Sequence, residues 1–329
     1  MKRILILNTG GTFSARPGKY GLEPQITGEE IARQVGGFSG QIETVMEDYC
    51  SLDSSNITPT DWRNLAERIG GSIGAIDGAV IVHGTDTMAY TASMLSFMLQ
   101  HIAIPVVLTG SQMPLGVPMS DAADNLRCAV YMAASGNGGV YLAFDRRIML
   151  GCRTSKVRTV SFNAFESINC PDVGEVNAFG LRLHNVPKPG GEPFSLNTAY
   201  CERIAVLKLF PGMSPEIFTY LQERGYEGVY IEGFGLGGVP FLKGDFTAAI
   251  RRANDAGLPI LVGSQCRYEG SNLGVYETGK RILACGGIPV HDMTQEAVVT
   301  KLMWGLGQKE GRAGIRGLFE RNLVGEVSL

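Results

Sequence analysis

Two loops of this chain carry threonines where chemistry could be done without histidine or cysteine. Asn8-Thr9-Gly10-Gly11-Thr12 follows the apolar run Ile4-Leu5-Ile6-Leu7, and His83-Gly84-Thr85-Asp86-Thr87 follows Ala79-Val80-Ile81-Val82. Each run reads as a buried parallel strand, and each loop as the exit from its carboxyl end. Ligands of open α/β sheets bind at that edge. Two such loops would bring the hydroxyls of Thr12 and Thr85 and the carboxylate of Asp86 over one pocket, a set suited to nucleophilic catalysis.

The elements that would hold these loops are legible as an alternation of short apolar strands with helical patterns. Further strands are expected at 105–108, 139–144, 204–207, 228–231 and 259–262. Helix starts are marked between them. Thr27-Gly28-Glu29-Glu30 fits a capping box, and Gly36-Gly37 closes that helix. Thr58-Pro59 sets a cap before proline at the first helical position, and Trp62, Leu65 and Ile69 then share one face. Ser214-Pro215 repeats the signal, with Gly225 as the stop. A helix is expected from about Asp86 to about Gln100, so Thr85 could simply cap it. The alternation implies α/β architecture with two α/β domains. The larger, N-terminal one (1–185) is expected to hold a doubly wound, mostly parallel sheet. A Pro/Gly-rich linker follows at 186–200, then a smaller C-terminal domain with a parallel sheet at 201–329.

Composition excludes several classes of function. The chain has 329 residues, 44% of them hydrophobic and 19% charged, with a net charge of −3; that is a globular chain with no basic run for nucleic acid or a membrane surface. No apolar run approaches the roughly 20 residues of a membrane span, and the first strand begins too early to leave room for a signal peptide. The expected location is cytoplasmic. Seven cysteines are scattered without a Cys-x-x-Cys and are expected to be buried, reduced thiols. The four histidines lack metal-ligand spacing, so no metal is expected. His83, at the end of a buried run, reads as a hydrogen-bonded core histidine.

Two nucleotide signals fail on their context. Gly11 to Gly18-Lys19-Tyr20 has six residues between its glycines and a Tyr after the Lys, where a phosphate loop needs four and a Ser or Thr. Gly233-Phe234-Gly235-Leu236-Gly237-Gly238 matches G-x-G-x-x-G, but Val239-Pro240 follows and no helix opens to receive a pyrophosphate. A turn closing a strand is the expected structure.

At the two Gly-Thr loops the chain resembles L-asparaginases of the bacterial type, in their cytoplasmic (type I) branch. Thr9-Gly10-Gly11-Thr12-Phe13 is similar to that family's first signature, and His83-Gly84-Thr85-Asp86-Thr87-Met88 to its second. Leu52-Asp53-Ser54-Ser55, Leu108-Thr109-Gly110-Ser111-Gln112, Arg153-Thr154-Ser155-Lys156, Phe162-Asn163-Ala164-Phe165 and Gly263-Ser264-Gln265-Cys266 follow in the family's order, so the resemblance spans nearly the whole chain.

The resemblance implies an amidohydrolase that converts L-asparagine to L-aspartate and ammonia through an acyl-threonine, with no cofactor. It implies Thr12 as nucleophile, assisted by Tyr20 on a mobile lid loop. Thr85, Asp86 and Lys156 form a second catalytic group, and Asp53, Ser54 and Ser55 help hold the amino-acid head of the substrate, with Asp86 also able to meet its ammonium. The general base is either Lys156, acting through Thr85, or the Tyr20 phenol; Lys156 can serve only if burial lowers its pKa. The Ser111-Gln112 loop is a further candidate for lining the pocket. The resemblance also implies a homodimer or homotetramer, in which a neighbouring subunit's C-terminal domain completes the pocket; Tyr268 and Glu269 are the nearest residues for that role. Glu232 stands where a basic residue would mark a second, regulatory asparagine site, and regulation stays open. A dual glutaminase-asparaginase, or a non-catalytic sensor of small amino acids, would be built on the same scaffold.

Overall fold

The apolar run at the amino terminus forms strand β1 (Lys2–Gly10), buried from Ile4 onward. It takes a parallel neighbour on each side, β2 (Ile42–Leu52) and β3 (Gly78–Val82). These come from a computed structural model that describes residues 1–329 except Tyr20, Gly36, Ser39, Pro189, Gly190 and Glu310. Beyond β3, the strands β4 (Pro105–Thr109) and β5 (Gly139–Phe144) continue the parallel run. The strands β6 (Arg147–Leu150), β7 (Gly174–Asn177) and β8 (Gly180–Leu183) then finish the sheet antiparallel. The order across the sheet is β8-β7-β6-β5-β4-β3-β1-β2. The chain leaves β1 outward to β2 and then returns past it to β3, so the winding reverses between β1 and β3. In a doubly wound sheet that reversal opens a crevice at the carboxyl ends of the two strands. Both Gly-Thr loops leave from it.

Four helices connect the parallel strands: α1 (Gly28–Val35), α2 (Pro59–Gly70), α3 (Met88–Met98) and α4 (Ala122–Ala133). Gly36, the expected stop of α1, lies outside the described residues. At the start of α2, Asp61 accepts from both the backbone N–H and the hydroxyl of Thr58, each at 2.7 Å, and Trp62, Leu65 and Ile69 are buried on its inner face. Helix α3 is buried nearly all round. It stops at Met98, short of the expected Gln100, because Leu99–Gln100 pairs antiparallel with Ser195–Leu196 and its backbone groups go to that strand. Thr85 does not cap α3; the N-cap is Thr87, whose hydroxyl donates instead to the Ser54 carbonyl at 2.7 Å. The first compact unit runs Met1–Thr198 and the second Ala199–Leu329, a boundary that falls inside the 186–200 segment.

The second unit is a parallel sheet of β9 (Ile204–Lys208), β10 (Gly228–Gly233), β11 (Ile260–Ser264) and β12 (Ile288–Pro289), in that spatial order. Its helices are α5 (Ile217–Glu223), α6 (Phe246–Asp255), α7 (Glu277–Ala284), α8 (Gln295–Gly307) and α9 (Gly311–Phe319). Phe218, Ile231, Phe246, Ile250 and Val262 are among its core residues. The glycine-rich run after β10 forms a tight turn bridged between Phe234 and Gly238, and the next helix begins only at Phe246. No helix N-terminus therefore follows this turn where a dinucleotide would need one.

The first unit is drawn together at one point. Gly11 has φ +72° and lies so close to Gly84 that a Cβ on it would overlap the Gly84 Cα; a Cβ on Gly84 would come within 2.7 Å of the Ser54 side chain. Backbone thus packs directly on backbone across the crevice, and only glycine permits it. Gly11→Ala combines a left-handed residue with overpacking, costs of about 1–2 and 1–3 kcal/mol respectively. Urea denaturation should show the variant about 2–5 kcal/mol less stable; an unchanged unfolding midpoint would refute the contact.

Candidate active site

The Gly11–Gly84 contact places two threonine-bearing turns side by side. Thr12 opens a single 3₁₀ turn, Thr12–Ser14, directly after Gly11. Among the described residues its hydroxyl has no hydrogen-bond partner. Behind it, the Thr9 hydroxyl donates to the Val82 carbonyl at 2.9 Å, joining the ends of β1 and β3. Thr85 is buried and Asp86 exposed at the end of β3.

A third loop closes on these two. Asp53 caps a 3₁₀ turn, Ser54–Asn56, and accepts from the Ser55 backbone N–H at 2.8 Å and the Ser55 hydroxyl at 2.5 Å. Those bonds, the hydroxyl's first, hold the Asp53 carboxyl below the usual carboxylate range. Buried Ser54 faces inward: its hydroxyl accepts from the Asp86 backbone N–H at 3.2 Å, and its carbonyl takes the Thr87 hydroxyl.

Lys156 reaches the same place from a separate two-stranded sheet. It ends the short strand Thr154–Lys156, paired antiparallel with Phe165–Ser167 so that Lys156 lies opposite Phe165. The Phe165 ring is buried edge-on against Phe144 of β5, with centroids 5.0 Å apart. Asp172 fixes the base of this hairpin, accepting from Arg147 Nε at 2.6 Å, from Arg147 Nη2 at 3.0 Å and from the Ser167 hydroxyl at 2.6 Å. So positioned, Lys156 Nζ lies 2.7 Å from Thr85 Oγ1 and 2.6 Å from Asp86 Oδ1. The Lys156 side chain is only 17% exposed while that of Asp86 is 63% exposed, so the aspartate keeps an open side for a ligand.

His83 supports Thr85 from below and is fully buried. Its Nδ1 lies 2.7 Å from the Gly84 carbonyl and its Nε2 lies 3.0 Å from the Thr91 hydroxyl. A carbonyl only accepts, so Nδ1 carries the hydrogen; Thr91, which accepts from Trp62 Nε1 at 2.8 Å, donates to Nε2. Every site on the ring is thus satisfied by a neutral imidazole, and burial pushes its pKa down to about 4. Trp62 and Thr91 could have been singled out only by knowing that α2 and α3 pack together.

The remaining expectations fall out as follows. Tyr20 lies outside the described residues. Ser111 donates to the Met113 carbonyl at 2.5 Å and so serves its own loop, whereas Gln112, its backbone N–H held by Asp121, reaches with Nε2 to the Ser161 carbonyl at 3.1 Å. Among the described residues no cysteine is in a disulfide, but they are not all buried: Cys266 is exposed and Cys50, Cys170 and Cys201 are half-buried, because they sit on edge strands and loops and not on core positions. Glu232 is buried, which raises its pKa. Among the described residues no group of three or more His, Cys, Asp or Glu could hold a metal ion, and no helix is long and apolar enough to cross a membrane. A cavity of about 650 Å³ in the second unit, lined by Phe234, Leu236, Pro240, Phe241 and Tyr276 among others, includes none of the residues above.

The chain is similar to known proteins over nearly its whole length. The family model described as asparaginase, N-terminal matches residues 3–188, and that described as glutaminase/asparaginase C-terminal domain matches residues 203–319. The L-asparaginase of Thermococcus kodakarensis is 39% identical over 330 residues, covering 99% of each chain. A glutamyl-tRNA(Gln) amidotransferase chain of the same organism is 36% identical over 99% of this chain and 76% of its own. The structure of the thermostable L-asparaginase from Thermococcus kodakarensis superposes with a TM-score of 0.94 at 37% identity, covering 99% of both chains.

The His83 environment predicts a pH dependence. The folded-state pKa of about 4 lies below the ordinary histidine value of 6.5, so in that interval the unfolded chain binds a proton the folded chain refuses. The contribution is fully present above pH 6.5 and is lost as pH falls toward 4, at up to about 1.4 kcal/mol per unit. Denaturation curves from about pH 7 to about pH 4.5 should show that slope in the wild type and its loss in His83→Asn. An identical slope in the two proteins would contradict the assignment.

Proposed function

This chain belongs to the asparaginase family of enzymes, and we propose that it hydrolyses L-asparagine to L-aspartate and ammonia by double displacement, with the Thr12 hydroxyl as nucleophile. The observation that supports this most is the convergence of Lys156 Nζ on Thr85 Oγ1 and Asp86 Oδ1 beside the loop that carries Thr12. A carboxamide is a poor electrophile and a neutral hydroxyl a poor nucleophile; splitting the reaction into acylation and deacylation makes each step easier than direct attack by water.

In this reading Thr12 Oγ1 attacks the side-chain carboxamide carbon of asparagine and gives up its proton to a base. Two routes for that proton are open, Thr85 backed by Lys156, or the phenol of Tyr20. The resulting oxyanion is met by backbone N–H groups in the Thr85 loop, which leads into the positive end of α3; one such donor is worth about 3 kcal/mol. The C–N bond then breaks, the leaving nitrogen takes a proton and departs as ammonia, and an aspartyl ester remains on Thr12. Water activated by the same base cleaves it. Asp86 meets the substrate ammonium with its open side, together with Asp53, while the Ser54 hydroxyl, which accepts from Asp86 and still has its own hydrogen to donate, and loop amides near it take the α-carboxylate; Ser55 helps by holding Asp53 in place.

We further infer a cytoplasmic homodimer or homotetramer. The support for assembly is the exposure of large apolar side chains on the second unit, Phe210 at 59%, Tyr276 at 63% and Leu242 at 85%; the location follows from the resemblance to the cytoplasmic branch. Glutamine differs from asparagine by one methylene, which a pocket discriminates by roughly 1–3 kcal/mol; asparagine is the proposed preference.

Thr12→Ala should abolish ammonia release while leaving the unfolding midpoint unchanged; turnover near the wild-type rate would remove Thr12 as nucleophile. Lys156→Met and Tyr20→Phe, compared side by side, identify the base, because loss of a general base lowers kcat by about 100- to 10,000-fold. Wild-type kcat/KM should favour asparagine over glutamine by about tenfold or more, and parity would turn the reading to a dual glutaminase-asparaginase.

A further inference from the structure

Asn8 is a polar side chain in the buried part of β1, 4% exposed, and it lies four residues before Thr12. Its amide is saturated. Oδ1 accepts from the Ser14 hydroxyl at 2.8 Å and from the Gly10 backbone N–H at 3.2 Å; Nδ2 donates to Asp48 Oδ1 at 2.9 Å and to the Ile26 carbonyl at 3.2 Å. The partners fix which end is which, since a backbone N–H can only donate and a carbonyl can only accept. Asp48, the register partner of Asn8 on β2, uses the same Oδ1 to take the Gly28 backbone N–H at 2.7 Å. Gly28 comes so near β2 that a Cβ there would overlap the Met46 side chain.

These partners are the two ends of one excursion of the chain. Residues Ala15–Gly18 and Gly21–Pro24 pair as an antiparallel hairpin. It leaves the body of the unit at Ser14 and returns at Gln25 and Ile26, whose backbone N–H groups both donate to the Ser14 carbonyl, at 2.7 and 2.8 Å. Ser14 closes the 3₁₀ turn that Thr12 opens. A single buried amide therefore ties together the outgoing end of the hairpin, its returning end and the turn that holds Thr12. At the same place the β1–β2 register shifts, between Asn8 and Gly10.

We propose that Asn8, backed by the acceptor of Asp48, is the positioning residue that sets the paired strands 15–18 and 21–24 against the Thr12 turn, so that these strands and the nucleophile settle as one assembly. The proposal rests on the reading of Thr12 as nucleophile. It assigns Asn8 no contact with substrate. What matters is the alternation of donor and acceptor; the charge of Asp48 is not required.

The test combines kinetics on asparagine with hydrogen exchange of the amides of residues 25–28. In Asn8→Asp, a carboxylate oxygen would face the Ile26 carbonyl and Asp48, and both ends of the hairpin would loosen. In Asp48→Asn, an amide oxygen still accepts both N–H groups. Asn8→Asp should lose about tenfold or more in kcat, as small misplacements at a reacting centre do, and the 25–28 amides should exchange faster. Exchange in α3 and in the second unit should stay as in the wild type, which also shows that the variant is folded. Asp48→Asn should remain within about twofold of wild type, and adding it to Asn8→Asp should restore at least part of both readouts, as coupled neighbours do. The proposal is overturned if Asn8→Asp leaves exchange of residues 25–28 unchanged, whatever its kinetics. It is equally overturned if Asp48→Asn alone matches Asn8→Asp in damage. An inactive wild type would instead strike at the asparaginase reading, while the exchange measurements would still decide the role of Asn8.

Discussion

The first unit is organised around the contact of two glycine backbones. Gly11 and Gly84 meet with no side chain between them, and Ser54 fills the remaining space against Gly84. Three consecutive crossover units of a doubly wound sheet end in loops at the same edge, but topology alone brings loops only into the same neighbourhood. Removing two Cβ atoms brings the backbones into contact, and the polar groups that follow each glycine then fall within one small volume. A substitution at either glycine would leave every candidate side chain in place and still separate them.

Around that contact, polar side chains work in two tiers. Thr12, Thr85, Asp86, Lys156, Asp53 and Ser55 are the candidate site residues of the upper one. Beneath them His83, Thr91, Trp62, Ser54, Asn8 and Asp172 hold backbone and hairpins in position. The lower tier is mostly buried and saturated with hydrogen bonds, as buried polar groups must be to avoid a large desolvation cost. His83 shows the principle: its ring is kept neutral by burial and aligned at both nitrogens, so it braces the Gly84 carbonyl. The upper tier keeps unsatisfied capacity, in the open face of Asp86 and in the Thr12 hydroxyl.

Much of this was legible in the sequence. Apolar runs predicted β1, β3, β4, β5 and, in the second unit, β9, β10 and β11 but not the two-residue β12, because a strand buried on both faces leaves an uninterrupted apolar segment only when it is long enough to show one. Thr58-Pro59 and Thr27-Gly28 marked α2 and α1 through capping chemistry that is local by nature. The antiparallel edge β6–β8, the early end of α3 and the hairpin that delivers Lys156 were not legible, since each depends on pairing with residues distant in sequence. His83 was legible as a buried, hydrogen-bonded histidine, but the same limit hid its partners and the rest of the support: Asn8 and Asp48 are neighbours only because β1 and β2 pair, and Trp62 meets Thr91 only because α2 packs on α3. Motif order singled out the candidate side chains, and long-range packing determines what holds them.

The account turns on Thr12 carrying the acyl group while Thr85 does not. Rapid acid quenching of the enzyme during turnover of asparagine, followed by proteolysis and mass mapping of the peptides, tests this directly. The account predicts an aspartyl ester on the peptide that contains Thr12, absent in Thr12→Ala; an ester on the Thr85 peptide, or one that persists in Thr12→Ala, would contradict it.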